Sequence, residues 1–201
     1  MEKGLLIVVS GPSGAGKGTI CKELLNRNKE ITLSVSATTR KPRVGEKDGV
    51  NYHFIDEKTF EKMIENDEFL EYAKVYSNYY GTPKKFVLEK LNKGEDVLLE
   101  IDIQGALNVK KIYPDGVFIF ILPPSMEELK KRIEKRGTET EESLQERFGS
   151  AYKEVEYVKQ YDYAVVNDEV DSAVNKVESI IIAEKARVDR QKDIINKYKE
   201  V

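Results

Sequence analysis

Two rhythms of apolar positions alternate along the chain. Leu5-Leu6-Ile7-Val8-Val9 is an unbroken apolar run, the pattern of a strand buried on both faces of a parallel sheet. Similar runs recur at residues 97–99, 117–122 and 163–166. Between them the apolar residues take helical spacing, over 17–28, 84–93, 125–135 and 172–187. Strands alternating with helices predict βαβ units and an α/β fold with a doubly wound parallel sheet.

Two segments break that rhythm. Residues 37–83 are rich in tyrosine and charge, with short alternating runs such as Tyr52-His53-Phe54 and Phe69-Leu70-Glu71-Tyr72. They predict a small mixed α/β insertion with one helix near 58–65. The stretch from Ser125 to Tyr157 is dense in Glu, Lys and Arg, with Gly137-Thr138 as a break between two helices. Polar, weakly cored helices of this kind suit a movable lid. The expected division is a core of 1–36, 84–124 and 160–201, an insertion of 37–83 and a helical lid of 125–159. Residues 188–201 read as a polar helix.

Composition narrows the chemistry. The 201 residues are 40% hydrophobic and 34% charged, a normal balance for one globular core with a mobile part. The formal net charge is -3, which argues against a nucleic-acid partner. No apolar run is long enough to span a bilayer, so no membrane partner is expected. The one cysteine, Cys21, fits a reducing compartment and reads as a small core residue. Met1-Glu2-Lys3-Gly4 leads straight into the first strand without a secretory pattern. The expectation is a cytoplasmic protein. The one histidine, His53, lies in an alternating strand and reads as solvent-facing. Histidine triads and transition-metal sites thereby recede. Chemistry by Arg, Lys and carboxylates comes forward.

Ser10-Gly11-Pro12-Ser13-Gly14-Ala15-Gly16-Lys17-Gly18-Thr19 joins the first strand to the first helix. Glycines let successive backbone N–H groups turn toward a phosphate, and the helix N-terminus adds its positive end. Lys17 then reaches the outer phosphates of a nucleotide. The usual phosphate-loop pattern places Ser or Thr directly after the lysine, whereas here Gly18 precedes Thr19. A magnesium ion would therefore rest on phosphates and water rather than on a direct side-chain ligand. The Gly-Lys-Gly-Thr variant fits nucleoside monophosphate kinases better than motors or switch GTPases.

The next stretch runs Ser34-Val35-Ser36-Ala37-Thr38-Thr39-Arg40-Lys41-Pro42-Arg43-Val44-Gly45-Glu46. With Gly49 to Phe54, Glu68 to Tyr72, Asn78 to Pro83, Glu100 to Gly105 and Arg136 to Thr140, it closely resembles the signature of guanylate kinases. The resemblance covers nearly the whole chain. It implies a P-loop core, a GMP-binding insertion and transfer of the ATP γ-phosphoryl group to GMP. Arg40, Arg43, Tyr52 and Tyr80 would grip the GMP phosphate, for which guanidinium forks and phenols are suited donors. Glu71 would read the guanine N1–H and amine, aided by Ser36 and by Thr82 or a strand-end carboxylate. Adenine lacks that donor pair, and such a site can reject the wrong partner by roughly 10⁴-fold.

Arg132 and Arg136 stand four apart on one helical face, with Arg147 on the following helix. The resemblance implies that Arg132, Arg136 and Arg147 close over the two nucleotides and face the transferring phosphoryl group, with Arg132 and Arg136 on the ATP side, and that Asn167 and Asp168 lie near the adenine. Glu100 and Asp102 end a central strand, where open α/β sheets bind ligands. Asp102 matches a carboxylate that organises magnesium-bound water or the guanine amine. Position 100 is often Asp in the family and here is Glu. Two other readings remain: a catalytically silent scaffold domain, and a kinase for another phosphorylated acceptor. ATP with Mg²⁺ and GMP are the expected ligands, on a monomer or small homo-oligomer.

Overall fold

A computed structural model describes residues 3–75, 77–135, 141–191 and 198; the side chains of 135 and 141–147 lie outside that description. The strands are β1 (Leu6–Ser10), β2 (Ile31–Leu33), β3 (Ala37–Thr38), β4 (His53–Phe54), β5 (Phe69–Val75), β6 (Asn78–Pro83), β7 (Asp96–Glu100), β8 (Val117–Leu122) and β9 (Tyr163–Val166). The helices are α1 (Lys17–Arg27), α2 (Glu57–Glu65), α3 (Lys84–Asn92), α4 (Ile103–Ile112), α5 (Met126–Lys135), α6 (Glu141–Val155) and α7 (Val170–Lys185).

The first sheet is parallel and ordered β2-β7-β1-β8-β9. Every residue of β1 is buried, because β1 is central and both of its faces carry helices. Ile7 and Val9 pack with Ile20 and Leu24 of α1 and with Val174 and Val177 of α7. Leu6 and Val8 face the other way, against Val87 and Leu91 of α3 and Val109 of α4. Each such side chain stabilises the fold by roughly 1.5–3 kcal/mol relative to exposure. The unbroken apolar run in β1 is the sequence image of this two-sided burial.

The second sheet is mixed and ordered β4-β3-β6-β5. Phe60 of α2 anchors it, stacked on Phe69 at 4.4 Å and on Tyr79 at 5.2 Å between ring centroids. Asp56 caps α2 by accepting from the Thr59 N–H at 2.8 Å. The register of β5 against β6 shifts between Phe69 and Glu71, which sets Glu71 opposite Thr82. A separate apolar cluster of Leu129, Ile133 and Ala151 joins α5 to α6.

α4 is an element that the apolar pattern did not reveal. The polar helix expected over 188–201 is represented among the described residues by a single 3₁₀ turn, Val188–Arg190. The rest of it, apart from 191 and 198, lies outside the described residues.

Candidate active site

The phosphate loop leaves the carboxyl end of β1 and closes as α1 begins at Lys17. Gly16 caps that helix at φ 95°, a conformation that glycine alone adopts cheaply. It also has no room for a side chain, since a Cβ there would stand 2.2 Å from Asn167 Nδ2. Asn167 is buried at the end of β9 and donates to the Ala15 carbonyl at 2.7 Å. The loop is thus held from outside by a residue far along the chain. Lys17 folds back across it, donating to the carbonyls of Gly11 (2.6 Å) and Pro12 (3.1 Å). Burial lowers its pKa, and Glu100, Glu154 and Asp102 oppose that effect. Beside the loop lies a cavity of about 310 Å³ lined by Gly14, Gly16, Thr19, Arg132, Asn167, Asp168 and Val170. Arg132 is fixed there by bonds to Glu128 Oε1 (3.0 Å) and the Asn167 carbonyl (3.2 Å).

A second cleft, of about 240 Å³, opens on the other side of Lys17. Lys17, Glu100, Ile101 and Asp102 of the core line it together with Glu71 and Tyr80 of the second sheet and Ser36 and Tyr52, which lead into β3 and β4. Glu71 is 8% exposed. Its Oε1 accepts the Thr82 hydroxyl at 2.7 Å. Burial is the main cause that raises its pKa to about 7, against the pull of the Thr82 bond. Burial likewise pushes the Tyr52 phenol up to about 12, so it remains a donor. Asp102 caps α4, accepting from the Gly105 N–H at 3.0 Å.

Arg40 lies over the Tyr52 ring, 5.4 Å from its centroid. It is paired with Glu46 at 2.9 Å, and Tyr80 also bonds to it. Neither Arg40 nor Arg43 lines either cavity; Arg43 is exposed, and its backbone N–H donates to Glu46 Oε2 at 2.7 Å. Arg136 and the Arg147 side chain lie outside the described residues.

A Cβ on Gly18 would lie 3.3 Å from Glu100 Oε1, a close approach to the end of a flexible side chain. Two carboxylates beside Lys17 suit a hard cation such as magnesium, which prefers oxygen. Among the described residues no cluster of three or more His, Cys, Asp or Glu could hold a metal alone. The residues fit an ion carried mainly by phosphates and water.

Two residues with a visible place in the site carried no sequence signal. Glu46 holds one arm of the Arg40 guanidinium. Glu154 of α6 lies beside the Ser13 backbone N–H and near Lys17, and burial raises its pKa. Glu46 ends the stretch that carries the family resemblance but has no role assigned there, and Glu154 sits in a charged run.

A phosphate loop at the carboxyl edge of a parallel sheet, with a second cleft lined by its lysine, is the architecture of a P-loop phosphotransferase. A family model described as guanylate kinase matches residues 3–184. A guanylate kinase of Clostridium tetani is 68% identical over 100% of this chain and 96% of its own length. One from Caldanaerobacter subterraneus is 65% identical over 99% and 97%. The crystal structure of guanylate kinase from Anaplasma phagocytophilum superposes with a TM-score of 0.81 at 34% identity, covering 94% of this chain and 90% of that one. The chain belongs to the guanylate kinase family.

Proposed function

We propose that the chain transfers the γ-phosphoryl group of ATP to GMP, with ATP on the phosphate loop and GMP in the cleft floored by Glu71. The observation that carries this reading is the buried Glu71 carboxylate, held by Thr82 in a cleft that Lys17 closes. Guanine offers two adjacent donors, N1–H and the amine, and an ionised carboxylate accepts from both. Arg40, Tyr52 and Tyr80 form a donor cluster for the GMP phosphate, with Arg43 joining it when the ligand is present. Ser36 and Asp102 border the base. Asn167 and Arg132 border the adenine side.

The nucleophile is a phosphate oxygen of GMP, which is ionised at neutral pH, so no general base is needed. The bond from γ-phosphorus to the β-bridging oxygen breaks as the bond to the GMP oxygen forms, releasing ADP and GDP. Catalysis then rests on bringing two anions into line and neutralising their charge. Lys17 and Arg40 supply part of that charge, and Arg136 and Arg147 supply more from the helical lid of 125–159. Magnesium, when bound, neutralises charge on the ATP phosphates. The side-chain contact of α6 with the loop, through Glu154, gives the lid a route to sense the nucleotide. Closure keeps out water, which would otherwise accept the phosphoryl group.

Steady-state kinetics of Glu71→Ala test the assignment. The GMP KM should rise by about 10²-fold or more while the ATP KM holds, since a lost base-reading bond costs that much. An unchanged GMP KM would remove Glu71 from the base site.

A further inference from the structure

Glycine 105 is an odd choice for its position. It lies inside the first turn of α4, where alanine is the better helix former. Its φ is not positive, so no backbone strain calls for glycine. What calls for it is space. A Cβ on Gly105 would stand 2.7 Å from Glu71 Oε2 and 3.1 Å from Glu71 Cδ. Meanwhile the Gly105 N–H holds the Asp102 carboxylate at 3.0 Å. One residue therefore seats two of the three acids that line the cleft, Asp102 through its N–H and Glu71 through its missing side chain.

We propose that Gly105 is a specificity-determining positioning residue: its bare Cα lets the Glu71 carboxylate rest on the first turn of α4, at the depth needed to meet the guanine edge. The inference rests on the reading of Glu71 as the base reader. An alanine methyl leaves the helix and the Asp102 bond in place. It drives Glu71 Oε2 outward by roughly 0.7 Å to reach ordinary contact, while Thr82 keeps its hold on Oε1. Displacement on this scale is felt strongly, since a misplacement of about 1 Å can cost about 10²-fold. The atom in the way is the end of a flexible side chain, so the cost falls on GMP binding rather than on the fold.

The test is Gly105→Ala beside Glu71→Ala and the double variant, each assayed with GMP and ATP varied in turn and melted thermally. The GMP KM of Gly105→Ala should rise roughly tenfold or more, with the ATP KM within about twofold. Its Tm should equal or exceed the parent's, and in the Glu71→Ala background the added alanine should do nothing further. An unchanged GMP KM in Gly105→Ala, beside a raised one in Glu71→Ala, would overturn this proposal alone. An unchanged GMP KM in Glu71→Ala would overturn both it and the base-reader assignment. A parallel loss of GMP KM, ATP KM and Tm would show general damage to α4 and overturn it as well.

Discussion

Replacing Glu71 by glutamine should make the protein more stable and a poorer guanylate kinase. Glutamine keeps the shape and can still accept the Thr82 hydroxyl, but it carries no charge. In the parent, the folded-state pKa stands at about 7 against an ordinary 4.5, chiefly because the group is buried. The folded protein therefore holds this proton more tightly than the unfolded chain does. The resulting stability is present in full below 4.5 and is lost as pH rises through about 7. A difference of roughly 2.5 units at 1.36 kcal/mol each amounts to about 3 kcal/mol at alkaline pH. For a chain of this size that corresponds to roughly 6–12 °C in Tm. Thermal unfolding of parent and Glu71→Gln, followed by circular dichroism from about pH 5 to about pH 8, reads the effect. The variant's advantage should be small at the acid end and grow steadily through neutrality. A pH-independent offset, or a variant less stable at about pH 8, would refute the burial argument. On the proposed reading the guanine donors offset the remaining cost of the buried charge, so the same variant should bind GMP poorly.

Other consequences follow from neighbouring contacts. Thr82→Val removes the hydroxyl that lowers the Glu71 pKa. A hydrogen bond to a charged group contributes about 1.5–3 kcal/mol, so the acid limb of kcat/KM for GMP should move up by about one to two pH units. Thr82→Ser should restore it, and an unmoved limb would mean that another group titrates; the ionisation of GMP itself is common to all three enzymes. Lys17→Ala should lower kcat by about 10²–10³-fold, as loss of a preorganised charge does. Its Tm should hold or rise, because a desolvated ammonium is removed, and retained turnover would show that the loop is misread.

Much of this architecture was legible in the residue pattern because the causes are local. The two-sided burial of β1 writes itself as an unbroken apolar run, and the glycines of the loop mark the turn into α1. α4 was missed because its signals point elsewhere: Asp102 reads as a ligand carboxylate, and Gly105 weakens the helical pattern it sits in. Asp102 is in fact also the helix cap. Gly105 conceded helix propensity for the space that Glu71 uses. The Glu46–Arg40 pair and the approach of Glu154 to Ser13 were illegible for a different reason. A glutamate in a run of charged residues carries no mark of the partner that folding brings to it. Glu71 was found through resemblance, and its burial against Thr82 supplies the physical cause that resemblance lacks.

On the proposed reading, one buried carboxylate selects guanine for a phosphate-loop kinase. Its most direct test offers the purified protein Mg-ATP with GMP, AMP, CMP or UMP in separate reactions and follows ADP formation. Rapid turnover should occur with GMP, and the other three should fall behind by about 10⁴-fold in kcat/KM. Comparable turnover with AMP or a pyrimidine nucleotide would contradict the account, leaving the phosphate loop in place and removing Glu71 as the reader of the base.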